Sequence, residues 1–278
     1  MRAAIRQVNR VLLAALLWSR LRPTTETPAF KDFCGRFGFG VLKYFPLMKS
    51  VDYQDLWALC ESDFKHDGFF VEIGAANGFG GSTTYLLEKH FGWRGILAEA
   101  NPVHFERLAE LRSSSICRKA VHKRSGETLE FWQVPEHPGL SSLAAYALND
   151  MHAATRQRTH VPIMVETISL NDLLSSFGAP RVIDYINIDT EGSEYDILCA
   201  FDFDYYDVHL FSVEHNYSAS EQRITNLLSE RGYRRVFPRL SRIDGWFVRT
   251  RHGSGTASTR GASTRGKPAS GPGAPKAS

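Results

Sequence analysis

The 278-residue chain has few cysteines, no apolar run long enough to cross a bilayer, and no acidic residue near either end. Its four cysteines, Cys34, Cys60, Cys117 and Cys199, are far apart, with no CxxC and no Cys/His ligand spacing. A disulfide scaffold and a zinc site are therefore excluded, and the thiols read as reduced side chains at apolar positions in a reducing, cytoplasmic compartment. The first carboxylate is Glu26 and the last is Asp244. Five arginines precede that stretch and six basic residues follow it, so with 33 Lys+Arg and 30 Asp+Glu in all, the middle carries 22 − 30 = −8 inside a total of +3. A nucleic-acid binder concentrates positive charge on its folded body, so this distribution argues against nucleic acid as the partner.

What is present is enough apolar material for one core, at 43% hydrophobic and 12% aromatic residues. From Gly253 onward no aromatic residue and no aliphatic larger than alanine occurs, and the pentad Ala-Ser-Thr-Arg-Gly runs twice between Ala257 and Gly266. Such a tail, residues 251–278, cannot bury enough surface to offset its ordering entropy, and it reads as disordered. Near the other end, Val11 to Trp18 is an apolar run with arginines on both sides. Eight residues are too few to span a bilayer. Three readings stay open for residues 1–22: a helix docked on the domain, an amphipathic helix making peripheral membrane contact, and a targeting segment.

Between the ends, residues 26–250, short β-rich runs alternate with helical ones. Strands are expected at Phe69 to Ile73, Gly95 to Glu99, Ile116 to Val121, Val182 to Ile188, Val208 to Glu214, Tyr233 to Phe237 and Ile243 to Val248. Thr128 to Gln133 and Met164 to Ser169 read as an inserted hairpin or edge strands. Helices are expected at Asp52 to Asp63, Ser82 to Phe91, Pro102 to Ser113, Asn171 to Phe177, Ser193 to Phe201 and Ser220 to Arg231, with Asn171 and Ser220 as N-caps. The alternation implies a doubly wound, mostly parallel α/β sheet, its last two strands pairing antiparallel near one edge. Ligands of such folds lie at the carboxyl ends of the strands.

The first strand runs into Gly74-Ala75-Ala76-Asn77-Gly78-Phe79-Gly80-Gly81-Ser82. Glycines there let a ligand approach the backbone, but the dinucleotide pattern GxGxxG fails, since its third glycine would fall at Thr83. Glu72 precedes the loop and Glu99 ends the second strand, where an acid takes ribose hydroxyls in doubly wound folds. Two carboxylates with no phosphate clamp suit a nucleoside bearing positive charge, and S-adenosylmethionine is such a ligand.

The runs VEIGAANGFGGSTTYLLE, GWRGILAEANP, VETISLNDLL, IDYINIDTEGSEYDIL and SVEHNY, in this order, resemble the FkbM family of S-adenosylmethionine-dependent methyltransferases over roughly residues 50–250. The resemblance implies a seven-stranded class I methyltransferase fold and methyl transfer to a hydroxyl of a small molecule such as a sugar or glycolipid. By similarity, Glu72, Gly74, Asn77 and Gly78 line the methionine side of the cofactor, Glu99 takes the ribose, and Asn101 and Ala120 lie near the adenine. Glu72 stands where aspartate is frequent in the family, which lengthens the reach and keeps the charge.

Asn187 to Glu194 leaves the fourth strand and opens a helix. Ser193 and Glu194 suit a cap and a first turn, whereas Asp189 and Glu191 have no such structural use and read as functional. The fifth strand closes with Glu214, His215 and Asn216, placed beside the fourth. Two mechanisms follow. In one, Asp189 and Glu214, with His215 as a further ligand candidate, hold Mg²⁺ or the substrate hydroxyls and His215 is the general base; in the other, without metal, His215 or Asp189 takes the hydroxyl proton directly. Ser141, Ser142, Tyr146, His152 and the neighbouring arginines, in the loop Pro135 to Pro162, are candidates for the acceptor pocket. The rival readings are a non-catalytic relative that binds or anchors, and a nucleic-acid methyltransferase.

Overall fold

The computed structural model describes residues 27–250, so the readings of residues 1–22 and of the tail from Gly253 lie outside the described residues. The chain begins with α1 (Thr27–Phe37), a 3-10 segment (Phe39–Leu47) and α2 (Gln54–Glu61), and continues through β1 (Phe69–Ile73), α3 (Tyr85–Phe91), β2 (Arg94–Ala98), α4 (Phe105–Leu111) and β3 (Ser115–Cys117). An insertion follows: β4 (Ala120–His122), β5 (Thr128–Gln133), β6 (Ser142–Leu143), α5 (Ala153–Thr159) and β7 (Val161–Ser169). The last part is α6 (Leu170–Ser176), β8 (Val182–Ile188), α7 (Glu194–Cys199), β9 (Asp207–Glu214), α8 (Ser220–Glu230), β10 (Tyr233–Val236) and β11 (Asp244–Arg249).

The main sheet has seven strands in the order β10-β11-β9-β8-β1-β2-β3. Neighbours from β3 to β9 pair parallel, and β11 is antiparallel to both β9 and β10, as the short polar link before it requires. It is thus a mixed sheet. The strand order reverses between β1 and β8, and a cavity lies at the carboxyl ends there, as switch points favour. Alternation along each strand divides the core in two. Phe70, Leu97, Tyr185, Leu210 and Trp246 pack with α1, α2 and α3, while Val71, Ile96, Ile186, Phe211 and Phe247 pack with α6, α7 and α8. On the first face Trp57 of α2 stacks on Trp246 of β11 at 5.0 Å between centroids, and Gln54 Nε2 donates to Asp244 Oδ2.

The insertion is larger than a hairpin: it is a second sheet in the order β4-β7-β5-β6 with its own small core of Ala120, Phe131, Leu143 and Val165. The run Ile116 to Val121, expected as one strand, is divided between the two sheets, because the chain crosses from β2's edge to β7 at the exposed pair Arg118-Lys119. Two caps also differ from expectation. Ser169, not Asn171, caps α6 by accepting the Asp172 N–H, while Asn171 ties the helix to Ala200 and Asp202. Ser220 lies inside α8 and bonds Ser218. The cysteines are free, three buried and Cys199 exposed. Among the described residues no helix is long and apolar enough to cross a membrane.

Candidate active site

At the end of β1 the backbone turns at Gly74, with φ +80°, and a Cβ there would lie 1.8 Å from the Asp189 carbonyl oxygen. Only glycine lets the ends of β1 and β8 close up in this way. Behind the turn, Glu72 is buried and gathers the loop: Ser82 Oγ (3.0 Å), the Thr83 N–H (2.7 Å) and Thr84 Oγ1 donate to it. The buried Arg112 guanidinium lies at 3.4 Å from Glu72 and donates to Glu88 at 2.9 Å. Burial would raise the Glu88 carboxyl, but Arg112 and hydrogen bonds from Ser113 and Ser114 hold it down at about 2. The paired charges keep the loop in place.

At the end of β2, Glu99 faces the cavity while its two oxygens accept the Ala76 and Asn101 N–H groups, each at 2.7 Å. Burial pushes this carboxyl up to about 7, and the charge of Asp189 adds to the rise, against those two hydrogen bonds. The cavity, about 220 Å³, is floored by Gly74, Ala75 and Ala76, walled by Glu72, Glu99 and Asp189, and closed on the insertion side by Ala120, Phe131, Ser141 and Leu143. Three of the expected cofactor residues do not line it. Asn77 folds back so that its Oδ1 accepts the Phe79 and Gly80 N–H groups; Gly78 packs on Leu108 and Arg112; and Asn101 binds Ser141, Gln133 and the Pro138 carbonyl. The loop turns back on itself after Ala76, so Ala76, Gly80, Gly81 and Thr83 stand where Asn77 and Gly78 were expected.

After β8 and β9, oxygens of Asp189, Glu191 and Glu214 lie within 4.8 Å of one another. Asp189 opens on the cavity; burial, together with the charges of Glu194 and Glu72, pushes it up to about 7, opposed by a hydrogen bond from Glu214. Burial and the neighbouring carboxylates raise Glu191 and Glu214 further, Glu191 against the pull of Arg156. Arg156 of α5 is fully buried and donates to Glu191 (2.5 Å), to Asp150 (2.7 Å) and to the Leu140 and Ala147 carbonyls. The Ser142 hydroxyl donates to the Glu191 carbonyl, which fastens the insertion to the strand-end loop. Glu194 has the structural part read for it, since the Thr190 and Gly192 N–H groups donate to its carboxylate.

His215 stands apart from this group. It lines a neighbouring cavity together with Glu214 and Asn216. Its Nδ1 faces the Tyr217 N–H at 3.1 Å and its Nε2 faces Arg235 Nη2 at 3.1 Å, so both ring nitrogens are engaged away from Asp189. Glu191 takes the place expected for His215 beside Asp189 and Glu214. Of the insertion residues, Ser141 reaches the cofactor-sized cavity and Tyr146 a second one, whereas His152 lines neither. Arg112 and the pairing of Arg156 with Glu191 escape sequence reading, because the carboxylates lie tens of residues away.

The mixed sheet with its cavity at the strand ends defines a methyltransferase-like α/β domain. The family model described as "Methyltransferase FkbM domain" matches residues 72–235, more than half of the chain, and the protein belongs to that family. No curated protein matches it. Several solved structures are similar, two of them methyltransferases by description. Precorrin-6y C5,15-methyltransferase from Geobacter metallireducens GS-15 has TM-score 0.38 and 10% identity, covering 66% of this chain and 71% of that one. Methyltransferase FkbM from Methylobacillus flagellatus KT has TM-score 0.42 and 14% identity, covering 80% of this chain and 58% of that one. At such distances no residue role passes from them to this chain.

Proposed function

We propose that the protein transfers a methyl group from S-adenosylmethionine to a hydroxyl of a small acceptor, a sugar or glycolipid being the class expected. The observation that carries this reading is the placement of Glu99 and Asp189, both raised to about 7, on opposite sides of one cavity at the switch point. The donor set fits the cofactor: the walls offer carboxylates and backbone, the lining Lys119 is paired with Glu166, and the buried Arg112 and Arg156 are likewise paired with acids rather than free to clamp phosphate. When bound, S-adenosylmethionine supplies an electrophilic methyl group on a positively charged sulfonium. Glu99, fixed by two N–H donors, keeps lone pairs for ribose hydroxyls, and Gly74 leaves room beside the strand end.

Asp189 is the general base of this reading. A carboxyl that titrates near neutrality accepts a hydroxyl proton at neutral pH and is matched to that task. Burial and the charges of Glu194 and Glu72 beside it keep its proton affinity high. Phe131 and Leu143 add apolar surface to the cavity wall. The oxygens of Asp189, Glu191 and Glu214 would also suit Mg²⁺. Arg156 already neutralises Glu191, however, and a dication would face that guanidinium, so we adopt direct proton removal.

Calorimetric titration with S-adenosylmethionine tests the reading first, since a binding or anchoring module without cofactor affinity would show no heat. A screen over sugars and glycolipids, reading S-adenosylhomocysteine release, then finds the acceptor. Turnover is expected to be indifferent to EDTA. Loss with chelator and recovery with Mg²⁺ would restore the metal mechanism.

A further inference from the structure

A second cavity, about 330 Å³, lies on the far side of the acidic group from the first, between the insertion and the loop after β9. Glu191 and Asp189 line the first cavity and Glu214 lines the second, so one cluster of carboxyls borders both. Three side-chain oxygens of residues lining the second cavity are buried and accept no hydrogen bond: Asp150 Oδ2, Glu214 Oε2 and Asn216 Oδ1. All three side chains are more than nine-tenths buried. Buried polar atoms without a partner are uncommon in folded proteins, so three on residues that line one cavity call for a ligand.

The chemistry of these atoms is one-sided. Asp150 Oδ1 is taken by Arg156 and the His152 N–H, which leaves Oδ2 turned away from the guanidinium. Asn216 Nδ2 donates to Glu191 Oε2, and that bond fixes the amide so that the free atom is the acceptor, not the donor. The complementary ligand brings donors and no lone pairs, and a primary ammonium group, with three N–H donors and positive charge, does so. A hydroxyl carries one donor and two lone pairs, which would face further oxygens. Asp196 and Glu194 add acids to the same wall. Arg223, the lining cation, is held over the Tyr195 ring at 3.8 Å.

We propose that the second cavity is the acceptor subsite and that it recognises a protonated amino group on the acceptor, whose hydroxyl then reaches Asp189. Calling the ligand an acceptor rests on the methyltransferase reading; the preference for an ammonium group does not. The two are separated by measuring amine binding directly, with no cofactor present.

The probes are 6-amino-6-deoxyglucose, its N-acetyl derivative and glucose, followed by saturation-transfer NMR on the full chain at neutral pH. The amine is expected to bind at least about tenfold more tightly than either neutral sugar. Asp150→Asn keeps an oxygen for Arg156 and puts an N–H where the free acceptor was, and it is expected to erase that preference. Asn216→Gly, which suits the left-handed backbone at this position (φ 46°), is expected to reduce it and serves should Asp150→Asn fail to fold. Equal binding of amine and neutral sugars, no binding of any probe, or a preference unchanged in a folded variant would overturn the proposal. Absence of S-adenosylmethionine binding in a parallel calorimetric run would instead strike the methyltransferase reading and leave the amine result standing.

Discussion

Asp189 and Glu99 combine burial with a cavity-facing carboxyl, and their chemistry follows from that. Asp189→Asn is expected to lower kcat by about 10²–10⁴-fold while the thermal midpoint stays level or rises, because a buried carboxyl is replaced by a neutral isostere. In the wild-type enzyme kcat should climb with pH through about 7 and level off above it, since only the ionised base takes a proton. The stability effect has the opposite sign. A carboxyl raised to about 7 in the folded state binds its proton more tightly there than in the unfolded chain, so its contribution is complete below about 4 and is lost as pH rises through about 7. Glu99→Gln should therefore flatten the fall in thermal midpoint between about pH 5 and 8. A bound cation favours ionised Glu99, so cofactor binding near neutrality should release protons, read by calorimetry in buffers of different ionisation enthalpy. Asp189 and Glu191 were legible in the sequence because acids at a strand end with no cap to make are conspicuous. His215 lines the second cavity with Glu214 and Asn216, and what the sequence did not show is that the Tyr217 N–H and Arg235 engage its two ring nitrogens.

Among the elements, α5 and the second sheet are held to the strand ends by Arg156. Its replacement by Met strands Glu191 and Asp150 in the interior and is expected to cost about 3–5 kcal/mol of stability, measured by denaturant unfolding. Adding Glu191→Gln should recover part of that loss, because one of the two stranded charges is removed. Gly74→Ala faces both a φ of +80° and a Cβ 1.8 Å from the Asp189 carbonyl. The ends of β1 and β8 must move apart, and cofactor affinity should fall with stability. The strands of the main sheet were readable from their apolar runs, which parallel strands buried on both faces must have. The split between β3 and β4 was not, since Ile116 to Val121 has the composition of one strand and only pairing with two different partners divides it. Nor was the Arg156–Glu191 pair legible, because the partner lies 35 residues on and meets the arginine only when the insertion folds back.

For the molecule as a whole, β1 pairs with β8, so the cavity joins two parts of the chain separated by α3, α4 and the entire insertion. The Trp57–Trp246 stack and the Gln54–Asp244 bond reach further still, across 190 residues in the second case. Those contacts set an order of events during synthesis. α2 leaves the ribosome early with Trp57 uncovered and cannot bury that ring until β11 has followed, so the growing chain carries an exposed aromatic face through most of its translation. Chains this rich in non-local pairs fold slowly. Refolding followed by tryptophan fluorescence should show its main change in the last phase, and a chain stopped before Asp244 should bind chaperones rather than cofactor.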